Sequence, residues 1–298
     1  MKSWLSVLIG IAVLLIVVKI FKITPPKFVE GFDVNSSEKF EHKEGDNIYD
    51  SFYASIYDYL VYSNAKDEFE ISQIIKQTNP SKNSIILDVG CGTGHHVSLL
   101  ENKGLHTKGI DKSHAMIKKA KENYPSLDLE VGDVLDDDLF DNNTFSHILC
   151  LYFTIYYIKD KETFFQNCYN WLNTGGYLIV HLVDKDNFDP ILPSGNPLMY
   201  VSPQRYAKKR ITNTKLVFDQ FNYEANFDLK SNGQAQFTEK FKHKDSNKVR
   251  KHKHIMYMEN IDEIVKIAMS VGFTLHGKID MIKCQYEYQY LYIFTKST

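Results

Sequence analysis

Apolar residues recur at steps of three and four from Asn47 onward: Ile48, Phe52, Ile56, Tyr59 and Leu60 form one stripe, with Tyr49, Tyr53 and Tyr57 beside it. That spacing predicts an amphipathic helix. A second is expected over residues 67–77, closed by Asn79-Pro80. The pattern then changes to short apolar runs alternating with helical ones. "SIILDVG", "HTKGID", "LDLEVGD", "FSHILCLY" and "YLIVHLV" read as five strands. Between them lie helices through "HHVSLLENKG", "SHAMIKKAKENY" (Met116, Ile117 and Ala120 inward, capped by Ser113 or Asp111) and "KETFFQNCYNWL". Buried strands interleaved with amphipathic helices predict an α/β fold with a doubly wound, mostly parallel sheet. "TLHGKIDMIKC" and "YQYLYIFTK" add a closing hairpin, which makes seven strands.

After Asp184 a loop rich in Pro, Gly and Asp leads into three long alternating segments joined by two tight turns. They predict an antiparallel insertion over residues 186–258, followed by a helix with Ile261, Ile264, Val265 and Ala268 inward and Gly272 at its end.

Composition changes this picture mainly at the N-terminus. Among 298 residues, 43% are hydrophobic and 24% charged, with a net charge of −2: ordinary globular values with no overall basic field for nucleic acid. Four scattered cysteines form neither a CxxC pair nor a zinc pattern. Ser3 to Val18, however, carries no charge, close to the minimum of ~17 residues for crossing a bilayer. A cleaved signal peptide or a buried helix are the competing readings, but no small-residue cleavage site follows; Lys19, Lys22, Lys27 and "TPP" do. The expected organisation is a membrane anchor over residues 1–23, a linker over 24–46 and one domain over 47–298. The flanking lysines favour a single-pass membrane protein with a cytosolic domain. The sequons at Asn35 and Asn142 argue the other way.

The candidate chemistry centres on "LDVGCGTGHH". Glycines 90, 92 and 94 permit positive φ and leave no Cβ between the turn and a ligand. A nucleoside triphosphatase would need Lys-Ser/Thr where His95-His96 stand, and a nucleophile elbow would need serine at Gly92. A dinucleotide turn would place its third glycine one residue later, and Asp88 opposes a pyrophosphate. A cationic ligand suits Asp88 instead. Asp111 ends the second strand, where a carboxylate can take both ribose hydroxyls, and Asp133 ends the third, placed to accept from an exocyclic amine. Together these carboxylates describe a pocket for a cationic adenine nucleoside.

"ILDVGCGTG", "GID", "EVGDV", "FSHILCLYF" and "LNTGGYLIV" resemble, in order and spacing, the motifs of class I S-adenosylmethionine-dependent methyltransferases, over about residues 47–298. The resemblance implies a Rossmann-like methyltransferase fold and S-adenosyl-L-methionine as cofactor. By it, Asp88, Gly90, Cys91, Gly92 and Gly94 cradle the methionine portion and Asp111 holds the ribose. Lys112 lies near the adenine, Asp133 and Val134 read its edge, and Cys150 and Leu151 pass close to the methionine. "IYDSFYASIYDYL" looks like the family's lid helix, with Tyr49 and Tyr57 closing over the cofactor.

The acceptor is less constrained. Where base-amino methyltransferases carry Asp/Asn-Pro-Pro-aromatic, this chain has "CLYFTIYY", which argues against DNA. Tyr152, Phe153, Tyr156 and Tyr157 either line an aromatic substrate wall or pack the sheet edge. His181 is placed to accept a proton, or is a satisfied structural histidine. His95 and His96, being adjacent, point apart and argue against a metal. The basic segment at residues 240–254 is a solvated hairpin face, or attracts anionic lipid or RNA. The insertion resembles the cap that small-molecule methyltransferases build over their acceptor, so a small or medium-sized acceptor is expected. The alternatives are an enzyme acting on lipid, protein or RNA at a membrane surface, and a cofactor-binding scaffold without turnover.

Overall fold

Strands form where β-branched and apolar runs are bounded by turn residues, and helices where the apolar spacing lengthens to three and four. The computed structural model describes residues 40–191, 204 and 207–297. Its first half contains β1 (Phe40–Glu44), α1 (Ser51–Val61), α2 (Asn64–Thr78), β2 (Ile85–Val89), α3 (His95–Asn102), β3 (His106–Asp111), α4 (His114–Asn123), β4 (Asp128–Val131) and β5 (Phe145–Cys150). The second half contains α5 (Thr154–Tyr157), α6 (Lys161–Trp171), β6 (Leu172–Val183), β7 (Asn213–Val217), β8 (Phe221–Leu229), β9 (Gln234–His243), β10 (Val249–Tyr257), α7 (Ile261–Val271), β11 (Phe273–Asp280) and β12 (Gln289–Lys296).

The main sheet has seven strands in the order β11-β12-β6-β5-β2-β3-β4. β2 to β6 run parallel, whereas β12 is antiparallel to both β6 and β11. The chain moves from β2 outward to β4 and then returns to β5 on the other side of β2. Loops leaving β2 and β5 therefore diverge, opening a crevice at the carboxyl ends of the strands. Leu87, Ile148, Cys150, Leu178 and Val180 fill the core on one side, with Trp171, Phe164 and Phe165 of α6. Ile71 and Ile74 of α2 cover the other side against Ile86, Leu149 and Ile179.

A second sheet, ordered β1-β10-β9-β8-β7, closes over that crevice. Phe221, Tyr223, Ala225 and Phe241 of this sheet bury Phe52, Tyr53, Ile56 and Leu60 of α1. Three differences from the sequence reading have physical reasons. The first long segment of the insertion breaks at "DQ" into the hairpin β7–β8, so four strands replace three. β1 comes from the expected linker and pairs parallel with β10. Its "FEHKE" has polar residues on both faces and is only half-covered, so it carries no apolar signal. Tyr59, placed in the apolar stripe, is exposed because α1 buries a narrower face.

The expected anchor over residues 1–23 lies outside the described residues, as does the linker up to residue 39. Among the described residues no helix is long and apolar enough to cross a membrane.

Candidate functional site

The glycine turn is built by backbone conformation. Gly90, Gly92 and Gly94 adopt φ of 69°, 56° and 88°, a region costly for other residues. A Cβ on Gly90 would lie 2.6 Å from Cγ2 of Thr154, the residue that opens α5. Gly94 does a different job from the one its motif suggests. It lies outside the cavity lining, and its missing Cβ lets α3 approach Ala120 and Tyr124, each 3.3 Å from the position a Cβ would take.

The turn is tied to the next strand. Gly92 N–H donates to Asp111 Oδ2 at 3.0 Å and Ser113 N–H donates to Oδ1 at 2.8 Å. Burial nevertheless pushes the Asp111 carboxyl up to about 6 against those two bonds. Ser113, not Asp111, caps α4, accepting from Met116 N–H at 3.1 Å; its hydroxyl also donates to the Tyr49 carbonyl at 2.5 Å.

A cavity of about 1070 Å³ opens above the carboxyl ends of the main sheet. Gly90, Gly92, Asp111, Lys112, Asp133 and Val134 line its floor, and Tyr49 and Tyr57 line the side formed by α1 and the segment before it. Lys112 is half exposed and pairs with Asp46 at 2.9 Å and Asp133 at 3.1 Å. Tyr152, Phe153 and Tyr157 enter the cavity with Phe188, Phe227, Phe237 and His254. A smaller recess beside the turn is lined by Asp88, Cys91, Leu151, Lys66 and His96, among others.

Asp88 is 1% exposed, and its Oδ2 has no hydrogen-bond partner among the described residues. Burial raises its carboxyl to about 7; His96 pulls it down, and Glu70, Asp111 and Asp67 push it further up. Beneath it, Lys66 Nζ lies 2.6 Å from Asp67 and 2.8 Å from Glu70. Burial would raise Glu70, but the Lys66 charge and the His96 hydrogen bond hold it at about 2. The adjacent histidines therefore have structural work. His96 Nε2 reaches Glu70 at 2.9 Å, while His95 stacks on Tyr62 with centroids 4.0 Å apart and meets the Tyr124 hydroxyl at 2.8 Å. With the 2.6 Å bond from Thr93 Oγ1 to Asp58, they fasten α1 and α2 to the glycine turn. Asp67, Glu70 and His96 are close enough to share a metal ion, but the Lys66 ammonium already supplies the positive charge there.

Besides Gly94, three expected site residues fall elsewhere. His181 is fully buried and outside the cavity lining; its Nδ1–H donates to the Tyr152 carbonyl, and burial lowers the ring to about 4. That bond fixes Tyr152, whose φ is 53°; the ring's other nitrogen, Nε2, is buried outside the cavity lining, away from the position where an acceptor would release its proton. Cys150 points into the core on the α6 side, where burial pushes its thiol well up. Tyr156 is also core: its hydroxyl accepts from Val183 N–H at 2.7 Å, as an inward tyrosine on the short α5 must. The basic segment divides by strand alternation. Arg250, His252 and His254 point inward and are buried, while outward Lys240 and Lys253 pair with Glu224 and Glu44.

Sequence reasoning missed the inward set. Arg250 binds Glu41 at 3.1 Å and also pairs with Asp50, clamping β1 and the start of α1 to β10. Glu239 receives His252, His254 and the Tyr223 hydroxyl. The only available signal is the period-two "RKHKH", which places three of those side chains on one face.

Comparison with known proteins agrees with this architecture. Residues 86–176 match the family model described as a methyltransferase domain. A dTDP-4-amino-2,3,4,6-tetradeoxy-D-glucose N,N-dimethyltransferase of Saccharopolyspora spinosa is 29% identical over 144 residues, 46% of this chain and 57% of that protein. A phosphoethanolamine N-methyltransferase of Plasmodium falciparum is 28% identical over 127 residues, 39% of this chain and 47% of its own length. The chain thus spans about half the length of the curated relatives it matches. Among solved structures, an S-adenosylmethionine-dependent methyltransferase from Clostridium acetobutylicum aligns over 83% of this chain and 98% of its own, with a TM-score of 0.61 at 19% identity, a likeness of fold.

Proposed function

We propose that this chain, a class I S-adenosylmethionine-dependent methyltransferase, transfers a methyl group to the amine of a small molecule. The cofactor S-adenosyl-L-methionine supplies an electrophilic methyl on a sulfonium. The observation that carries the reading is the cavity itself. Its floor offers a Cβ-free turn and two carboxylates at strand ends, and its far wall is a cluster of aromatic rings.

The residues fit the cofactor. The unpartnered Oδ2 of Asp88 supports a place for the methionine ammonium, with Gly90, Cys91, Gly92 and Leu151 around it. Asp111 is pre-set by two backbone donors to accept ribose hydroxyls with its remaining lone pairs. Asp133 and Val134, which line the cavity, would meet the adenine edge with Lys112 beside it, and Tyr49 and Tyr57 would close the side facing α1. A cavity of about 1070 Å³ is at the top of the ~300–1,000 Å³ range of small-molecule sites, which leaves room for a second molecule.

Methyl transfer asks little of the protein beyond alignment and exclusion of water. Tyr152, Phe153 and Tyr157, with Phe188, Phe227 and Phe237, present faces and edges suited to an alkylamine or its ammonium form. The two relatives named above act on an amino sugar and on phosphoethanolamine, which supports an amine acceptor. Titration calorimetry with S-adenosylhomocysteine tests the cofactor reading; no heat from folded protein would sink it. A tritiated-methyl panel of nucleotide amino sugars, phosphoethanolamine, polyamines and matched alcohols tests the acceptor. Label in amines alone is expected, and label confined to alcohols would replace the acceptor class.

The uncharged run Ser3–Val18 supports a second element of this reading: a single-pass anchor that holds the enzyme at a membrane with its domain on the cytosolic side. Carbonate extraction of the expressed chain, compared with one lacking residues 1–23, tests it; release of both to the same extent would refute the anchor.

A further inference from the structure

Burying a carboxylate in a sheet core is costly unless every lone pair is used. Glu239, on β9, is 1% exposed and stays ionised: burial would raise it, but hydrogen bonds from His252 and His254 hold it at about 2. The Tyr223 hydroxyl donates to its Oε1 at 2.7 Å. His254 Nε2 and His252 Nδ1 approach its Oε2 at 2.8 Å and 3.3 Å. A carboxylate only accepts, so both ring nitrogens carry their protons toward it.

That assignment fixes the other side of each ring. Nε2 of His252 accepts from Arg250 Nε–H at 2.7 Å and is fully occupied. Nδ1 of His254 is left as a base, and 3.0 Å from it stands the hydroxyl of Tyr157. Tyr157 receives a hydrogen bond from Tyr49 in turn. Tyr49, Tyr157 and His254 all line the large cavity, and Glu239 lies behind them.

Resting on the amine reading above, we infer that Glu239, His254 and Tyr157 form a proton relay that receives the proton released by the acceptor when it is methylated. The acceptor nitrogen's lone pair forms the new bond to the methyl carbon. The carbon–sulfur bond breaks with its electrons going to sulfur, leaving a neutral thioether. The methylated nitrogen, now cationic, gives its N–H proton to the Tyr157 oxygen, directly or through the Tyr49 hydroxyl, as Tyr157 passes its own proton to His254 Nδ1. The imidazolium formed is paired with Glu239, and product release returns the proton to water. The groups facing His254 divide clearly. Glu239 favours its charged form, Arg250 and His252 on β10 oppose it, and Tyr49, Tyr53, Tyr157 and Tyr223 are neutral with hydroxyls held above the usual range by burial. The elements packed against it contribute rings: Phe237, Tyr53, Tyr157 and Tyr49 meet His254 with centroids at 5.5, 5.8, 5.9 and 6.1 Å.

The test uses the full chain with two readouts. Nitrogen-15 spectra of the imidazoles, assigned with His254→Gln, should show His254 protonated at Nε2, with an Nδ1 signal that shifts in Tyr157→Phe. Protonation at Nδ1, or a ring indifferent to Tyr157→Phe, would overturn the relay. With any acceptor labelled in the methyl panel, kcat should rise with pH through the titration measured for His254. Tyr157→Phe and Glu239→Gln should lower kcat by about 10²-fold, the range of general base catalysis, with S-adenosylhomocysteine affinity held within threefold. An unchanged pH profile in folded Tyr157→Phe refutes the proposal. If only alcohols are labelled, the amine reading falls while the same profile still judges the relay. If nothing is labelled, the spectra judge it alone.

Discussion

The Gly92 amide and the Asp111 carboxylate are joined by a 3.0 Å hydrogen bond that locks the turn after β2 to the end of β3. One carboxylate therefore shapes the turn and faces the cavity at once. Asp111→Ala removes a charge-assisted acceptor and frees the turn. S-adenosylhomocysteine affinity measured by calorimetry should fall by ~1.5–3 kcal/mol, the worth of a hydrogen bond to a charged group. Unchanged affinity would refute the assignment to the ribose.

Binding should also depend on pH. Burial raises Asp88 to about 7 and Asp111 to about 6 in the ligand-free protein, whereas the ligand's ammonium favours an ionised Asp88 and its ribose hydroxyls an ionised Asp111. Affinity for S-adenosylhomocysteine is expected to climb between about pH 5 and 8 and then level off. A flat profile would count against Asp88 as the partner of the ammonium.

The same burial works against folding. The folded Asp88 keeps a proton that the unfolded chain has lost, so its stabilising contribution is complete below about pH 4 and disappears as pH rises through about 7. Asp88→Asn should raise Tm at pH 8 relative to the parent, and should weaken cofactor binding. A lower Tm at that pH would contradict the cost assigned to the buried carboxylate.

Gly90 and Gly104 separate backbone strain from steric conflict. Both have positive φ, 69° and 77°, but a Cβ at Gly104 meets open space whereas one at Gly90 strikes Thr154. Gly104→Ala should cost only the conformational penalty, about 1 kcal/mol, or a few degrees of Tm. Gly90→Ala should cost more and displace α5 from the cavity mouth. Thermal melts of the pair decide the matter, and equal losses would refute the clash.

Arg250 has a 3% exposed side chain and carries Glu41, Asp50 and His252, with its guanidinium 4.5 Å from the Phe52 ring. Removing one partner of a fully buried pair costs ~3–5 kcal/mol. Glu41 and Asp50 are 42% and 32% exposed, so solvent screens part of that. Arg250→Gln should therefore lose about 2 kcal/mol, seen as a Tm lower by roughly 4–8 °C. Its amide exchange should speed up first in β1. A melt within a degree of the parent would show that the clamp contributes little.

Much of the parallel core is legible in the chain because its signals are local. Ile85–Val89 reads as a strand and "GCGTG" as a turn needing positive φ, and each is found where expected. His181 and Cys150 were harder to place. Both sit on central strands near the cavity, and only the pleat and the loop that follows determine whether such a side chain turns toward the opening or into the core. β1 is illegible for a different reason: an edge strand that buries little shows no alternation, and its partner β10 lies some 200 residues away.

The sequence by itself determined the doubly wound sheet, the glycine turn and the carboxylates at the strand ends, because periodicity and backbone conformation act within a few residues. Tertiary structure alone decided which aromatic residues line the cavity, that Gly94 serves helix packing, and that His95 and His96 fasten α1 and α2. It also brought Glu239 and His254 against Tyr157. Those relationships arise only when the second sheet closes over the first, where burial leaves each polar group to find a partner distant in the chain.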